Sequence, residues 1–107
     1  MMGRINEAMT RAHVWITGEV HGINFREKIK KRADKYGVSG FAKNYFDERE
    51  KKVEVVLEGK RWAVMKVREW IELGEISGVK NIIRIRNYNF QWEPFRNEFK
   101  GREFEIR

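Results

Sequence analysis

The spacing at which apolar residues recur switches back and forth along this chain, and few folds accommodate that pattern. Over residues 11–19 the period is two. Ala12, Val14 and Ile16 fall on one side and His13, Trp15 and Thr17 on the other, as in a half-buried strand. After a glycine-bearing connection, Gly18-Glu-Val-His-Gly-Ile-Asn24, the period becomes three to four. Phe25, Ile29, Ala33 and Tyr36 then predict an amphipathic helix closed by Gly37. Residues 38–46 and 52–58 alternate again and predict two strands paired as a hairpin, since the link 47–51 is too charged to bury. Gly59 is expected to open a second helix, with Ala63, Val67, Trp70 and Ile71 as its inner stripe and Gly74 as its stop. Residues 79–92 return to alternation, with Ile83, Ile85 and Phe90 inward, and residues 103–106 predict a short final strand.

This order is β-α-β-β-α-β with an extra C-terminal strand. Right-handed crossovers place both helices on one face of an antiparallel sheet, so the expected fold class is α+β, a ferredoxin-like α/β sandwich. The 107 residues suit one domain, expected over 11–107, with the aperiodic residues 1–10 as a flexible N-terminal arm. Pro94, the single proline, falls between the last two strands, where a missing donor is tolerated. The absence of cysteine excludes a disulfide framework, a thiolate nucleophile and cysteine-ligated zinc, and two histidines exclude a multi-histidine metal site. The charged share of 36% without cysteine leans toward a thermophile. With 23 Lys+Arg against 16 Asp+Glu, a net charge of +7 favours anionic partners. No apolar run is long enough to span a bilayer and the first ten residues lack a signal-peptide core, so a cytoplasmic protein is expected.

The connection between the first strand and the first helix carries the chemistry. A loop feeding a helix N-terminus aims several unpaired backbone N–H groups at one spot, and the helix dipole adds partial positive charge there. Gly22 permits the close approach such a cradle needs, and Arg26 follows in the first helical turn. Glu27 can pair with Lys31 four residues on, whereas Arg26 has Gly22, Ile23, Ile29 and Lys30 at the helical spacings and no acid among them. Its guanidinium is therefore available to a tetrahedral oxyanion. The second candidate is Asn44, which strand parity places on the helix-covered side with Ala42, near the strand's far end. Each residue alone is better read blandly, Arg26 as one of 23 solvated cations and Asn44 as an amide bonding to the hairpin backbone.

The two sites together resemble the acylphosphatase family. Its signature, roughly V-x-G-x-V-Q-G-V-x-F-R, appears as Ile16-Thr-Gly-Glu-Val-His-Gly-Ile-Asn-Phe-Arg26, and its G-x-x-x-N block as Gly40-Phe-Ala-Lys-Asn44. Further matches are Val53-Glu-Val-Val-Leu-Glu-Gly59, the helix containing Trp70, and Phe104-Glu-Ile106, so that the resemblance runs over residues 11–107. It implies hydrolysis of the carboxyl-phosphate bond of acyl phosphates without metal or cofactor. Arg26 would bind the phosphate, the backbone N–H groups of Val20, His21, Gly22, Ile23, Asn24 and Phe25 would cradle it, and Asn44 would position the attacking water. The implied partners are a small acyl phosphate and inorganic phosphate, with no membrane, nucleic acid disfavoured, and a monomer. Two departures stand out. His21 replaces a glutamine and is expected to bond within the loop rather than act catalytically. The segment after Asn44 lacks the family's N-x-x-D-G turn and reads about three residues longer, which is expected to loosen the hairpin that holds Asn44.

Two other readings remain open at this stage. Trp15, Phe41 and Tyr45 share the sheet face opposite the helices by parity, as stacking residues do in RNA-recognition modules, although the aromatic-rich signature of those modules is missing. A domain that binds acyl or carbamoyl phosphate with low turnover is the other.

Overall fold

The structure, a computed structural model, describes residues 7–19, 24–47, 49–73 and 84–107. The elements are β1 (Met9–Glu19), α1 (Phe25–Lys35), β2 (Ser39–Asp47), β3 (Glu50–Lys60), α2 (Arg61–Leu73), β4 (Arg84–Glu93) and β5 (Glu105–Ile106). They form one five-stranded sheet in the order β4-β1-β3-β2-β5. The β1–β3, β1–β4 and β2–β3 pairings are antiparallel. β5 lies parallel to β2, which makes the sheet mixed. β1 and β2 thus run in the same direction with β3 between them, and α1 makes the crossover from one to the other.

Alternation decides which side of each strand meets the helices. Ala12, Val14 and Ile16 of β1, Ala42 of β2 and Val53, Val55 and Leu57 of β3 pack with Ile29 and Ala33 of α1 and Val64, Val67 and Ile71 of α2, all fully buried. This is the ferredoxin-like α+β sandwich that the periodicity implies. No helix among the described residues is long and apolar enough to cross a membrane.

Several boundaries differ from the sequence expectation, beginning with β1, which takes Met9 and Thr10 out of the expected arm by pairing them with Lys60 and Gly59. Gly59 does not open α2: it pairs with Thr10 at the end of β3, and the helix begins at Arg61, whose N–H donates to the Ala8 carbonyl at 2.9 Å. The ladder between β1 and β3 outlasts the apolar alternation, because backbone pairing continues where side chains have become polar. For the same reason the β2–β3 hairpin is tight. Asp47 pairs with Glu50 and only residues 48 and 49 lie between, so the expected looser link is absent. In β4 the register slips between Thr17 and Gly18, whose partners are Asn87 and Ile85. That bulge reverses parity, so Ile85 as well as Tyr88, Phe90 and Trp92 packs against the core. Ile83, Gly74 and residues 1–6 lie outside the described residues.

The opposite sheet face carries a second, smaller core that periodicity did not reveal. The segment after Pro94 crosses it and buries Phe99 against Phe41 and Val56. Beneath it Arg11, 4% exposed, bonds to Glu58, Glu93 and Glu98 at 3.2, 2.9 and 3.0 Å. Glu58 also accepts the backbone N–H groups of Arg96 and Glu98, both at 2.9 Å. Burial opposes the charge on Arg11, but its bonds to Glu93 and Glu58 outweigh that and hold its pKa above the ordinary value. Burial likewise pushes the Glu93 carboxyl up, yet the hydrogen bonds from Arg11 and His13 prevail and hold it below the usual range.

Candidate active site

The site is built where β1 hands over to α1. Val20, His21, Gly22 and Ile23 lie outside the described residues, and the geometry resumes at Asn24. Asn24 is the N-cap of α1 and adopts the left-handed conformation, φ 55° and ψ 39°, which asparagine tolerates better than most residues. Its carbonyl accepts the Lys28 N–H at 2.9 Å, while its side chain makes no capping bond. Helix geometry leaves the first N–H groups of α1 without intrahelical acceptors, and Asn24 takes none of them. Phe25, 3% exposed, anchors the turn by stacking near Trp70, with ring centroids 6.3 Å apart.

Arg26 therefore leaves a firmly seated helix start. Its Nη1 donates to the main-chain oxygen of Arg107 at 2.6 Å. Sequence spacing offers Arg26 no local acid, and the partner it has in the structure lies 81 residues away, the main-chain oxygen of Arg107. The anticipated Glu27–Lys31 pair is also absent among the described ion pairs. The pair that forms on α1 is Lys30–Asp34, at 2.8 Å. Both members reach Phe104, the residue before β5: Lys30 Nζ donates to the Phe104 carbonyl at 2.9 Å, and Asp34 Oδ1 accepts the Phe104 N–H at 3.2 Å. The Arg107 N–H extends the parallel pairing by donating to the Ala42 carbonyl at 2.8 Å. Sequence reasoning missed this clasp. The i,i+4 spacing of Lys30 and Asp34 was visible, but nothing in it told that both would turn to a strand 70 or more residues away.

Asn44 stands in β2, paired across to Val53, which in turn pairs with Ile16. It is thus level with the third residue before the end of β1, at the sheet end from which the β1–α1 connection departs. On its other side β2 carries β5, with Ala42 opposite Ile106. Neighbouring strands lie about 4.8 Å apart, so Asn44 and the Arg107 main-chain oxygen that receives Arg26 are at one corner of the sheet. The Asn44 Oδ1 is buried and has no hydrogen-bond partner in the structure. Gly40 begins the same block with φ +142°, and a Cβ there would overlap the Val56 carbonyl oxygen. No group of three or more His, Asp or Glu side chains among the described residues converges as a metal site would.

The start of α1, Arg26 and the buried Asn44 amide thus stand at one end of a ferredoxin-like α+β sheet. A family model for acylphosphatase matches residues 12–106. An acylphosphatase of Pyrobaculum aerophilum is 45% identical over 98 residues, covering 92% of this chain and 94% of that protein. One from Aeropyrum pernix is 32% identical over 103 residues, 96% and 93% of the two chains. Among solved structures, an acylphosphatase from Coxiella burnetii superimposes with a TM-score of 0.74 at 27% identity, covering 92% of this chain and 93% of that one. The chain belongs to the acylphosphatase family and is an enzyme of that kind. The charge-rich composition fits its Pyrobaculum relatives.

Proposed function

We propose that the chain hydrolyses the carboxyl-phosphate bond of small acyl phosphates to carboxylate and inorganic phosphate, with Arg26 and Asn44 as the acting side chains. The carrying observation is the Asn44 carbonyl oxygen, buried and unpartnered at the sheet end where α1 begins. A buried acceptor left without a donor costs about 1–3 kcal/mol, and a water molecule bound there removes that cost. In this reading Asn44 accepts a hydrogen bond from that water and turns its lone pair toward phosphorus. The phosphate rests on the backbone N–H groups of residues 20–25, and Arg26 neutralises charge on its non-bridging oxygens. The new water-oxygen-to-phosphorus bond forms as the bond to the acyl oxygen breaks. The electron pair leaves on the carboxylate, and the water's proton passes to the phosphate product.

No general acid is needed, because a carboxylate of ordinary pKa, about 4, leaves without protonation. No strong base is needed either, since phosphoryl transfer depends chiefly on alignment and charge stabilisation. The chain is proposed to do this in the cytoplasm as a monomer. Hydrolysis of benzoyl phosphate tests the reading. Arg26→Ala is expected to lower kcat/KM about a thousandfold and to abolish competition by inorganic phosphate. Asn44→Ala is expected to lower kcat about a hundredfold with phosphate inhibition largely kept. Unchanged turnover in Arg26→Ala would remove the proposed site.

A further inference from the structure

Asn44 shares its side of β2 with Ala42 and Phe46, because residues two apart on a strand face the same way. Exposure climbs along that row, from Ala42 at 0% through the half-buried Asn44 to Phe46 at 68%. Two residues of strand rise put Phe46 about 6.6 Å beyond Asn44. It stays in regular pairing there, opposite Lys51, because Asp47 and Glu50 still pair one step further on. A phenyl ring standing in water gains free energy when the apolar surface of a ligand covers it.

The chemistry gives the acyl group a direction. Displacement at phosphorus is roughly in line, so the acyl group departs on the side of phosphorus away from the attacking water. With that water at the Asn44 carbonyl oxygen, the inward path is closed by Val53 and Ile16 in the same row of the sheet and by Phe25 of α1, none more than 3% exposed. The acyl group therefore extends to the solvent rim. Among the described residues the exposed large apolar side chains are Met9, Phe46, Trp62 and Ile106. Met9 and Trp62 lie at the other end of the sheet, where β1 and α2 begin. Ile106, 38% exposed, opens on a cleft whose other lining residues are Asn24 and charged side chains of α1, acids and lysines both, and covering those charges with an apolar group is unfavourable. Phe46 is left as the apolar surface at this rim. Lys51 across the ladder suits an aromatic acyl group, whose π-face attracts a cation.

We propose that Phe46 receives the acyl group of the substrate and makes the enzyme prefer aromatic acyl phosphates to small aliphatic ones. The inference rests on the catalytic reading above, and the experiment keeps the two apart. Steady-state hydrolysis of benzoyl phosphate and of acetyl phosphate gives kcat/KM for each, and their ratio is the readout, because a general loss of structure or of Asn44 alignment lowers both together. In Phe46→Ala the benzoyl-to-acetyl ratio is expected to fall about tenfold, chiefly through a higher KM for benzoyl phosphate. Phe46→Trp is expected to hold the ratio within about twofold of the wild type, and Ile106→Ala to leave it at the wild-type value. An unchanged ratio in Phe46→Ala, with the wild type active, overturns the acyl contact and leaves the catalytic reading standing. A ratio that falls in Ile106→Ala but not in Phe46→Ala moves the acyl group to the cleft beside α1 and overturns it equally. A wild type that hydrolyses neither substrate overturns the catalytic reading, and this inference with it.

Discussion

A side chain's neighbours decide whether an amide is structural or chemical, and Asn44 shows how. Parity in the sequence places it on the helix-covered side, where a carboxamide needs partners, and there the argument from spacing ends. The structure leaves its carbonyl oxygen unpaired, so any bond the amide makes to the hairpin backbone must come from its nitrogen. Its position depends on Gly40, four residues earlier. With φ at +142° and the Val56 carbonyl where a Cβ would stand, Gly40 lets β2 and β3 approach. Gly40→Ala is expected to destabilise the fold by about 3 kcal/mol, because rigid backbone rather than a flexible side chain must give way. Guanidinium denaturation measures it, and a loss below about 1 kcal/mol would show that the ladder adapts.

Among the elements, β5 has an influence out of proportion to its two residues. It is pinned to α1 through Lys30 and Asp34, and the residue after it receives Arg26. Asp34→Ala leaves the Phe104 N–H without that acceptor and Lys30 without its partner. The expected result is a stability loss on the order of 1 kcal/mol together with a several-fold fall in kcat, as Arg26 loses a steady rest. Asp34→Asn, which can still accept the Phe104 N–H, is expected to recover most of the turnover. Equal kcat in the wild type and Asp34→Ala would separate the clasp from catalysis. Helices and strands were largely legible in the apolar period, since burying one face is a local demand met by residues two, three or four apart. The tight turn after Asp47, the start of α2 and the bulge near Arg86 were not, because they follow from backbone pairing with distant strands.

At the scale of the whole molecule, the buried ions on the face opposite the helices link stability to pH. Arg11→Met would leave Glu58, 3% exposed, with its two backbone donors but without a cation. A destabilisation of about 3 kcal/mol is expected from thermal or chemical unfolding. Glu93 has its folded pKa held below the usual carboxyl value of about 4.3. Its contribution is therefore present above that unfolded value and is lost as pH falls through the lower, folded one. Melting temperature is expected to drop on acidification below about pH 4, and less steeply in Glu93→Gln. An identical acid slope in that variant would assign the effect to other carboxyls.

Periodicity and glycine placement were sufficient for the element types and the α+β architecture, because each is written in neighbours along the chain, and the two short motifs are what single out Arg26 and Asn44 for test. The main-chain partner of Arg26, the orphan oxygen of Asn44 and the ion cluster around Arg11 came into view only with the folded chain. Each joins groups from separate elements, and no local spacing encodes which distant surfaces the sheet order and helix crossovers bring together.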